Sequence, residues 1–344
     1  DLVVTKHRLQ AFSPAYFSGG RLFSYSQENL SASQAVQPDR AQPKPFLAEP
    51  IAEPESKFRS VTVEMLAEFF CHPARLLATR RLGIYLPRTE DALEETEPFA
   101  LDGLNSYLLK QQMLEIRVEG QSLRDASELF KATGTLPAGL PGEAAFENLR
   151  SAVESFYDQL KPHIANINAT PVPVELTVGD FQISGQFADI APTGLLSYRC
   201  AEIKAKDLLR AWVRHVVWNA AHPQGRPLKS KLIGTDAICE FREIESPSIV
   251  LDVLLQIYWR GLTEPLKFFP RSSEAFSQAE IEGKKNPLKN ARTQWAGSDF
   301  QTGESEDSYF DLFFRHSDPI DDEFSRLSRE IFNPLRAHLQ KTKS

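Results

Sequence analysis

Between Val174 and Ala220 the hydrophobic period of the chain changes once, from two to about 3.6, and this change constrains the fold more than any other feature. Val174, Leu176 and Val178 alternate with polar residues, as do Phe181, Ile183 and Phe187, on either side of Gly179-Asp180. Two alternating runs joined by two residues, glycine first, read as a β-hairpin, because a primed turn needs positive φ at its first corner. Leu195-Leu196-Ser197-Tyr198-Arg199 then reads as a further strand, and Lys206 to Ala220 as an amphipathic helix. A sheet followed by a helix with one apolar face to bury implies an α/β or α+β domain, a small mixed sheet flanked by helices.

The flanking segments supply more helices. Thr62 is placed to cap a helix within Ser60 to Leu82, with Met65, Leu66, Phe69 and Phe70 on its apolar side and Pro73 restarting or kinking it before Leu76, Leu77 and Leu82. Leu104, Tyr107, Leu108 and Leu114 suggest a second helix, and Phe146, Leu149, Val153, Phe156 and Leu160 step by three and four along a third, after Gly142. Lys231 to Phe241 is expected as one strand. Ser246-Pro247 opens a helix with Val250, Val253, Leu254, Ile257 and Tyr258 inward, and Asp322 to Gln340 closes the chain as a helix. Lys284 to Glu306, polar and containing Gly, Asn and Ser, is expected to be a mobile excursion. Residues 1–58, rich in Pro, Ser and Gln, read as an extended arm anchored by Phe12, Tyr16, Phe17, Leu22, Phe23 and Tyr25, with a helix at Asn29 to Val36 and a linker at Gln42-Pro43-Lys44-Pro45. Residues 59–344 then form one domain with its core at about 143–262, and no internal repeat is present.

Of 344 residues, 42% are hydrophobic and 25% charged, an ordinary balance for a globular protein. No run approaches 18 apolar residues and no leader opens the chain, so neither a membrane span nor a secretory signal is expected. Asp1 in the first position is expected for a piece of a longer protein. Cys71, Cys200 and Cys239 lack CxxC spacing, which argues against a zinc site or disulfide framework and fits a cytoplasmic setting. The net charge of −7 excludes a surface that is basic throughout. Locally the balance reverses: Arg199, Lys204, Lys206, Arg210, Arg214, Arg226, Lys229 and Lys231 face only Glu202 and Asp207 between residues 199 and 231, a net of +6. Such an excess suits contact with a phosphate backbone, though a solvated helix face and loop would look the same. His215 and His222 are seven apart and suit polar or surface roles better than a metal pair. No phosphate-loop lysine follows Ser18-Gly19-Gly20, and no serine-hydrolase elbow occurs. Trp212, Trp218 and Trp259 fall on apolar helix faces, whereas Trp295, in the polar excursion, is a candidate for base stacking.

Val61 to Leu77 resembles the opening helix of the nuclease domains of RecB- and AddB-type recombination enzymes. Several further stretches are similar to the RecC family, the gamma chains of exodeoxyribonuclease V: His7 to Phe17, Arg21 to Ser26, Glu97-Pro98-Phe99-Ala100-Leu101, Ala205-Lys206-Asp207-Leu208-Leu209 with Trp212 and His215, and Pro270-Arg271-Ser272. They keep one order from His7 to Ser272. The resemblance implies a PD-(D/E)xK nuclease-like (restriction-endonuclease-like) core without nuclease activity, within a RecBCD-type helicase-nuclease that processes double-strand breaks. It implies RecB-like and RecD-like partners, duplex DNA ends and single-stranded DNA as ligands, and ATP and Mg held by the partner subunits, with no cofactor in this chain. The family's strand-splitting pin belongs to this part, and its Chi-reading channel to a part absent here.

The resemblance also places the chemistry. Leu196-Ser197-Tyr198-Arg199 stands where active relatives have an apolar residue, Asp, Tyr and Lys, and Gly185 to Ala188 stands where they have Gly-x-x-Asp. Trp212 and Val216 lie where they often carry Gln and Tyr. Ala188 and Ser197 cannot supply anionic ligands, and Arg199 stays charged and cannot share a proton with a water nucleophile. Cys71 has no partners for an iron-sulfur cluster. Two alternatives stay open. Asp189 with Glu202-Ile203-Lys204 meets the same spacing in another register and would make a Mg-dependent nuclease, although Asp189 is one residue out of step and so turned to the opposite strand face. A structural domain that docks sister subunits without touching DNA is the other.

Overall fold

The computed structural model describes residues 4–35, 45–86, 101–124, 126, 130, 135–165, 167, 170–299, 301–315 and 317–343. Val36, Gln42-Pro43-Lys44 and Glu97-Pro98-Phe99-Ala100, singled out in the sequence, lie outside these residues. The chain divides into two compact units, Asp1–Pro45 and Phe46–Ser344. In the first, Tyr16 closes a loop around a 3-10 turn at Pro14–Tyr16: its hydroxyl accepts from the Arg8 amide at 2.9 Å and donates to the Arg8 carbonyl at 3.2 Å. Helix α1, Gln27–Ala35, follows. Phe12, Tyr16, Phe17 and Leu22 are half-buried, but Phe23 and Tyr25 are 68% and 93% exposed, so only part of the aromatic cluster is shielded from solvent.

Residues 46–58 belong to the second unit, where the Ile51 amide donates to the Thr263 carbonyl at 2.9 Å. Its elements are β1 (Ser60–Thr62), α2 (Val63–Cys71), α3 (Pro73–Leu76) with a π-helical turn over Leu77–Arg81, α4 (Gly103–Val118) and α5 (Leu140–Ile164). The hairpin β2 (Val172–Val178) and β3 (Phe181–Phe187), then β4 (Ile190–Ala191), β5 (Gly194–Tyr198), α6 (Ala205–Ala221), β6 (Ser230–Ile233) and β7 (Ala237–Phe241) form the middle. α7 (Pro247–Gly261), α8 (Pro270–Ile281), α9 (Pro287–Ala296), β8 (Gly297–Ser298), β9 (Gln301–Thr302), α10 (Ser308–Phe314), α11 (Asp322–His338) and β10 (Leu339–Lys343) complete it.

Local chemistry sets several of these boundaries. The Thr62 hydroxyl accepts from the Met65 amide at 3.1 Å and starts α2. Proline has no amide to continue a helix, so the chain breaks at His72, whose Nδ1 accepts from the Arg75 amide at 3.3 Å as α3 begins. Gly179 turns the hairpin at φ +55°. β1 pairs in parallel with β3, Val61 opposite Ile183, and β3 pairs antiparallel with β2. Gly185 lets β3 pass under the start of α2, since a Cβ there would meet the Val63 side chain at 2.6 Å.

The larger sheet runs β10-β7-β6-β5-β4, parallel only between β5 and β6, with α6 as the crossover that a parallel pair requires. Its strands alternate between two cores. Leu195, Leu232, Cys239 and Phe241 pack with Trp212, Val216 and the rest of α6, while Leu196 and Ile233 pack with α4 and α5 residues such as Met113, Val153 and Phe156. A third cluster gathers Phe269, Phe310, Phe313, Phe314 and Phe324. The architecture is mixed α/β, with small mixed sheets flanked by helices.

Five expectations are corrected. Lys231 to Phe241 is two antiparallel strands, not one, because the chain reverses over Gly234, Thr235 and Asp236. Lys284 to Glu306 is ordered into α9, β8 and β9: Trp295 packs 4.2 Å from the Phe269 ring, and Glu304 is buried against the start of α8, accepting from the Arg271 and Ser272 amides at 3.0 and 2.8 Å. α4 forms, but buries Leu109, Met113 and Leu114 and leaves Leu104 and Leu108 about half exposed, at 49% and 47%. The last helix ends at His338, where the chain leaves as β10 to pair with β7, and Val253 on α7 faces outward.

Candidate nucleic-acid interface

The segment joining β5 to α6 concentrates the residues singled out from the sequence. Strand pairing runs one residue past β5, with the Arg199 amide donating to the Ile233 carbonyl at 3.0 Å, and this delivers the Arg199 side chain to the first turn of α6. Asp207 is waiting there. It accepts the Lys204 amide at 2.8 Å, capping the helix from its third position, and forms an ion pair with the Arg199 guanidinium. The two side chains are 16% and 12% exposed. The Arg199 guanidinium also lies 4.8 Å from the centre of the Tyr107 ring.

The β4–β5 register sets Ile190 opposite Leu195, and the Asp189 carbonyl accepts from the Leu196 amide at 2.8 Å. The ladder stops there, since the Ile190 amide donates back to the Ala188 carbonyl at 2.8 Å and turns the chain at Asp189. Ala188 is exposed and Ser197 half-buried. By residue type, Ala188, Ser197 and Arg199 carry a methyl group, a hydroxyl and a guanidinium matched by Asp207, and none of these is an anionic ligand for a divalent cation. Around them, burial raises the Tyr198 phenol and the Cys200 thiol above their ordinary ranges, Asp189 adding to the first effect.

The alternative set divides differently. Asp189 is exposed and acts electrostatically on Arg214, whereas Glu202 and Lys204 lie outside any strand and line a cavity beneath α8 and α11 that Asp189 does not reach. Among the described residues no group of three or more His, Cys, Asp or Glu is placed to hold a metal ion.

The eight basic side chains fall into two classes. Arg199, Arg214 and Lys231 are tied to Asp207, Glu64 and Glu240, the last two at 3.5 and 2.9 Å. Arg214 also stacks 4.9 Å from the Phe187 ring, and burial pushes its guanidinium below its usual range, against the opposing effect of Glu64 and Asp189. Lys204, Lys206, Arg210, Arg226 and Lys229 form no ion pair among the described residues. Lys206 and Arg210, four apart and exposed, follow one side of α6. Arg226 and Lys229 lie past its far end, about 25 Å along a helix of this length. Sequence reasoning found this run but not its counter-charges. Asp207, in the first turn of α6, was the one visible signal.

The far end of α6 is buried and polar. His215 Nδ1 meets the Ser230 hydroxyl at 2.7 Å, and its Nε2 donates to the Arg242 carbonyl at 2.9 Å. Burial holds this imidazole down to about 4. Asn219 donates to the His215 and Leu228 carbonyls at 2.9 and 2.8 Å and accepts from the Ile244 amide at 3.0 Å. The polar role expected for His215 is a buried one; His222 is exposed at the end of the helix with φ +44°. Trp212 and Trp218 are fully buried, Trp259 is half-buried against Arg59, and Trp295 is half-buried beside an aromatic cluster, 4.2 Å from the Phe269 ring.

Comparison with known proteins adds to this picture. The RecC C-terminal domain profile matches residues 58–281. The chain is 28% identical over 331 residues to the RecBCD enzyme subunit RecC of Escherichia coli (strain K12), covering 91% of this chain and 28% of that protein. It is 26% identical to the protein of the same name from Mycobacterium tuberculosis (strain H37Rv), over 89% of the chain and 28% of the relative. For Buchnera aphidicola (subsp. Acyrthosiphon pisum) the figures are 24%, over 72% of the chain and 24% of the relative. The chain therefore spans about a quarter of the length of these curated relatives. No described helix is long and apolar enough to cross a membrane.

Proposed function

As the chain belongs to the RecC C-terminal domain family, we propose that it is a non-catalytic DNA-handling and docking domain of a RecBCD-type enzyme, joined to RecB-like and RecD-like subunits in the repair of double-strand breaks. On this reading the domain keeps a PD-(D/E)xK-derived fold and has lost its metal chemistry, and ATP and Mg belong to the partner subunits. The Arg199–Asp207 pair is the observation that carries it. A catalytic lysine at this position would work on a metal-bound water; a guanidinium neutralised by the first turn of the following helix is committed to holding β5 against α6. The order hairpin, strand, helix supports the nuclease ancestry.

DNA contact would then be steric and electrostatic. The exposed ammonium and guanidinium of Lys206 and Arg210, with Arg226 and Lys229 beyond, suit phosphate contacts that position a separated strand without reading its sequence. Leu104 and Leu108 on α4, with Ile249 and Val253 on α7, are exposed apolar side chains suited to docking a neighbouring subunit.

Anisotropy titrations with forked DNA over a salt series test the reading. Affinity is expected to fall as salt rises, and Lys206→Ala/Arg210→Ala should flatten the slope by about 0.7–0.9 for each phosphate that the variant no longer neutralises. Binding that is absent, or unaltered in the double variant, sinks DNA handling by this face and leaves docking. Cleavage in Mg or Mn that Asp189→Ala abolishes would instead make the domain an enzyme.

A further inference from the structure

A cavity of about 560 Å³ opens where the β5–α6 segment meets α8, α9, the end of α11 and β10. It lies in the range of small-ligand sites. Lys204, Arg271, Arg336 and Lys341 converge on it from four separate parts of the chain. The carboxylates in its wall are Glu202 and Glu274. Glu274 is engaged by Arg336 Nη2 at 3.0 Å, and Asp236, outside the lining, reaches Lys341 at 3.5 Å. Lys204 has no ion-pair partner among the described residues.

Two further features show that donors outnumber acceptors here. Arg271 Nη2 is held by the Gln294 and Thr302 carbonyls at 3.2 and 2.6 Å, yet its Nε is buried without an acceptor among the described residues, and so is Nε of Arg336. Ala205, the first residue of α6, lines the same cavity, and the amides of Ala205 and Lys206 find no acceptor among the described residues, so the positive end of a 17-residue helix adds to the side-chain cations. Gln278, Gln294 and Gln301 complete the wall with amides able both to donate and to accept. Buried donors without acceptors are costly, and an anion with several oxygens satisfies more of them at once than a water can.

We propose that this cavity binds a phosphate group, carried by a free anion, a mononucleotide or a DNA strand, with Lys204, Arg271, Arg336 and Lys341 as its cationic ligands and the glutamines beside any attached base. The site is separate from the exposed Lys206 and Arg210 face, and stands or falls independently of it.

Calorimetric titration of the full chain tests it, with inorganic phosphate, dAMP and a thymidine decamer ending in either 5′-phosphate or 5′-hydroxyl as probes. At least one phosphate-bearing probe should bind, and Lys204→Ala/Lys341→Ala should weaken it tenfold or more without lowering Tm, since both ammonium groups are solvated. Lys204→Glu, confined to the segment before the helix, repeats the test should the change in β10 disturb folding. Equal binding of phosphate and dAMP supports a free-anion site, preference for the 5′-phosphorylated decamer a strand-end site, and equal binding of both decamers a backbone site. Absence of binding by every probe, or binding undiminished in both variants, overturns the proposal.

Discussion

The two ends of α6 put their polar groups to opposite uses. At its C-terminal end His215, Asn219 and Ser230 are sealed from water with their hydrogen bonds matched to named partners. At its N-terminal end Lys204, Lys206 and Arg210 stand in solvent without ion pairs among the described residues, and two helix amides lack acceptors there. A satisfied buried network fixes one arrangement of the core, whereas cationic side chains left unmatched at an accessible surface add little to stability and remain open to a ligand. Stability and binding are thereby separated along a single helix.

The most direct way to break this comparison is Asn219→Ala. It strands the Ile244 amide and the Leu228 carbonyl, and should cost about 3 kcal/mol in urea denaturation; a cost under about 1 kcal/mol would show that the network is not the fastening described.

Acid titrates the same end. His215 binds a proton near 6.5 in the unfolded chain but only near 4 when folded, so the unfolded state holds more protons between those values and stability falls as pH drops through that window. From pH 7 to pH 5 this one group should remove about 2 kcal/mol. Comparing parent and His215→Phe unfolding across that range isolates it, because the variant should lack that part of the slope.

The smallest expected effect sharpens the contrast from the other end. Arg199→Met leaves Asp207 its bond from the Lys204 amide, so about 1 kcal/mol is expected, below the usual cost of breaking a fully buried pair. A loss matching that of Asn219→Ala would mean that the N-terminal end is as much part of the core as the C-terminal end.

Much of the fold was legible because its causes are local. The hairpin follows from alternation around Gly179, the inward face of α5 from steps of three and four, and the start of α2 from Thr62. Errors arose where distant contacts decide. Leu104 and Leu108 fit a helical stripe, but α4 turns Leu109 and Met113 toward α5 instead. The polar stretch holding α9 looked unattached because Trp295 and Glu304 find their partners on α8 and α10. The site was legible as a basic run and not as a geometry. Glu64, which neutralises Arg214, precedes it by 150 positions, and the cavity joins residue 202 to residue 341.

The parallel pairing of β1 with β3 has a consequence in time. Ser60 to Thr62 align with Gln182 to Ser184, so the strand that leads into α2 has no partner until about 120 further residues have been made. At ribosomal speed this is on the order of 10 s. Throughout that interval α2 can be capped by Thr62 and coiled, yet Phe69 and Phe70, fully buried in the finished domain, still lack Tyr258 and Phe268, the rings they pack against. The nascent chain passes through a long stage in which a capped helix holds apolar side chains without their final partners, and slowing synthesis between residues 71 and 184 should prolong that stage.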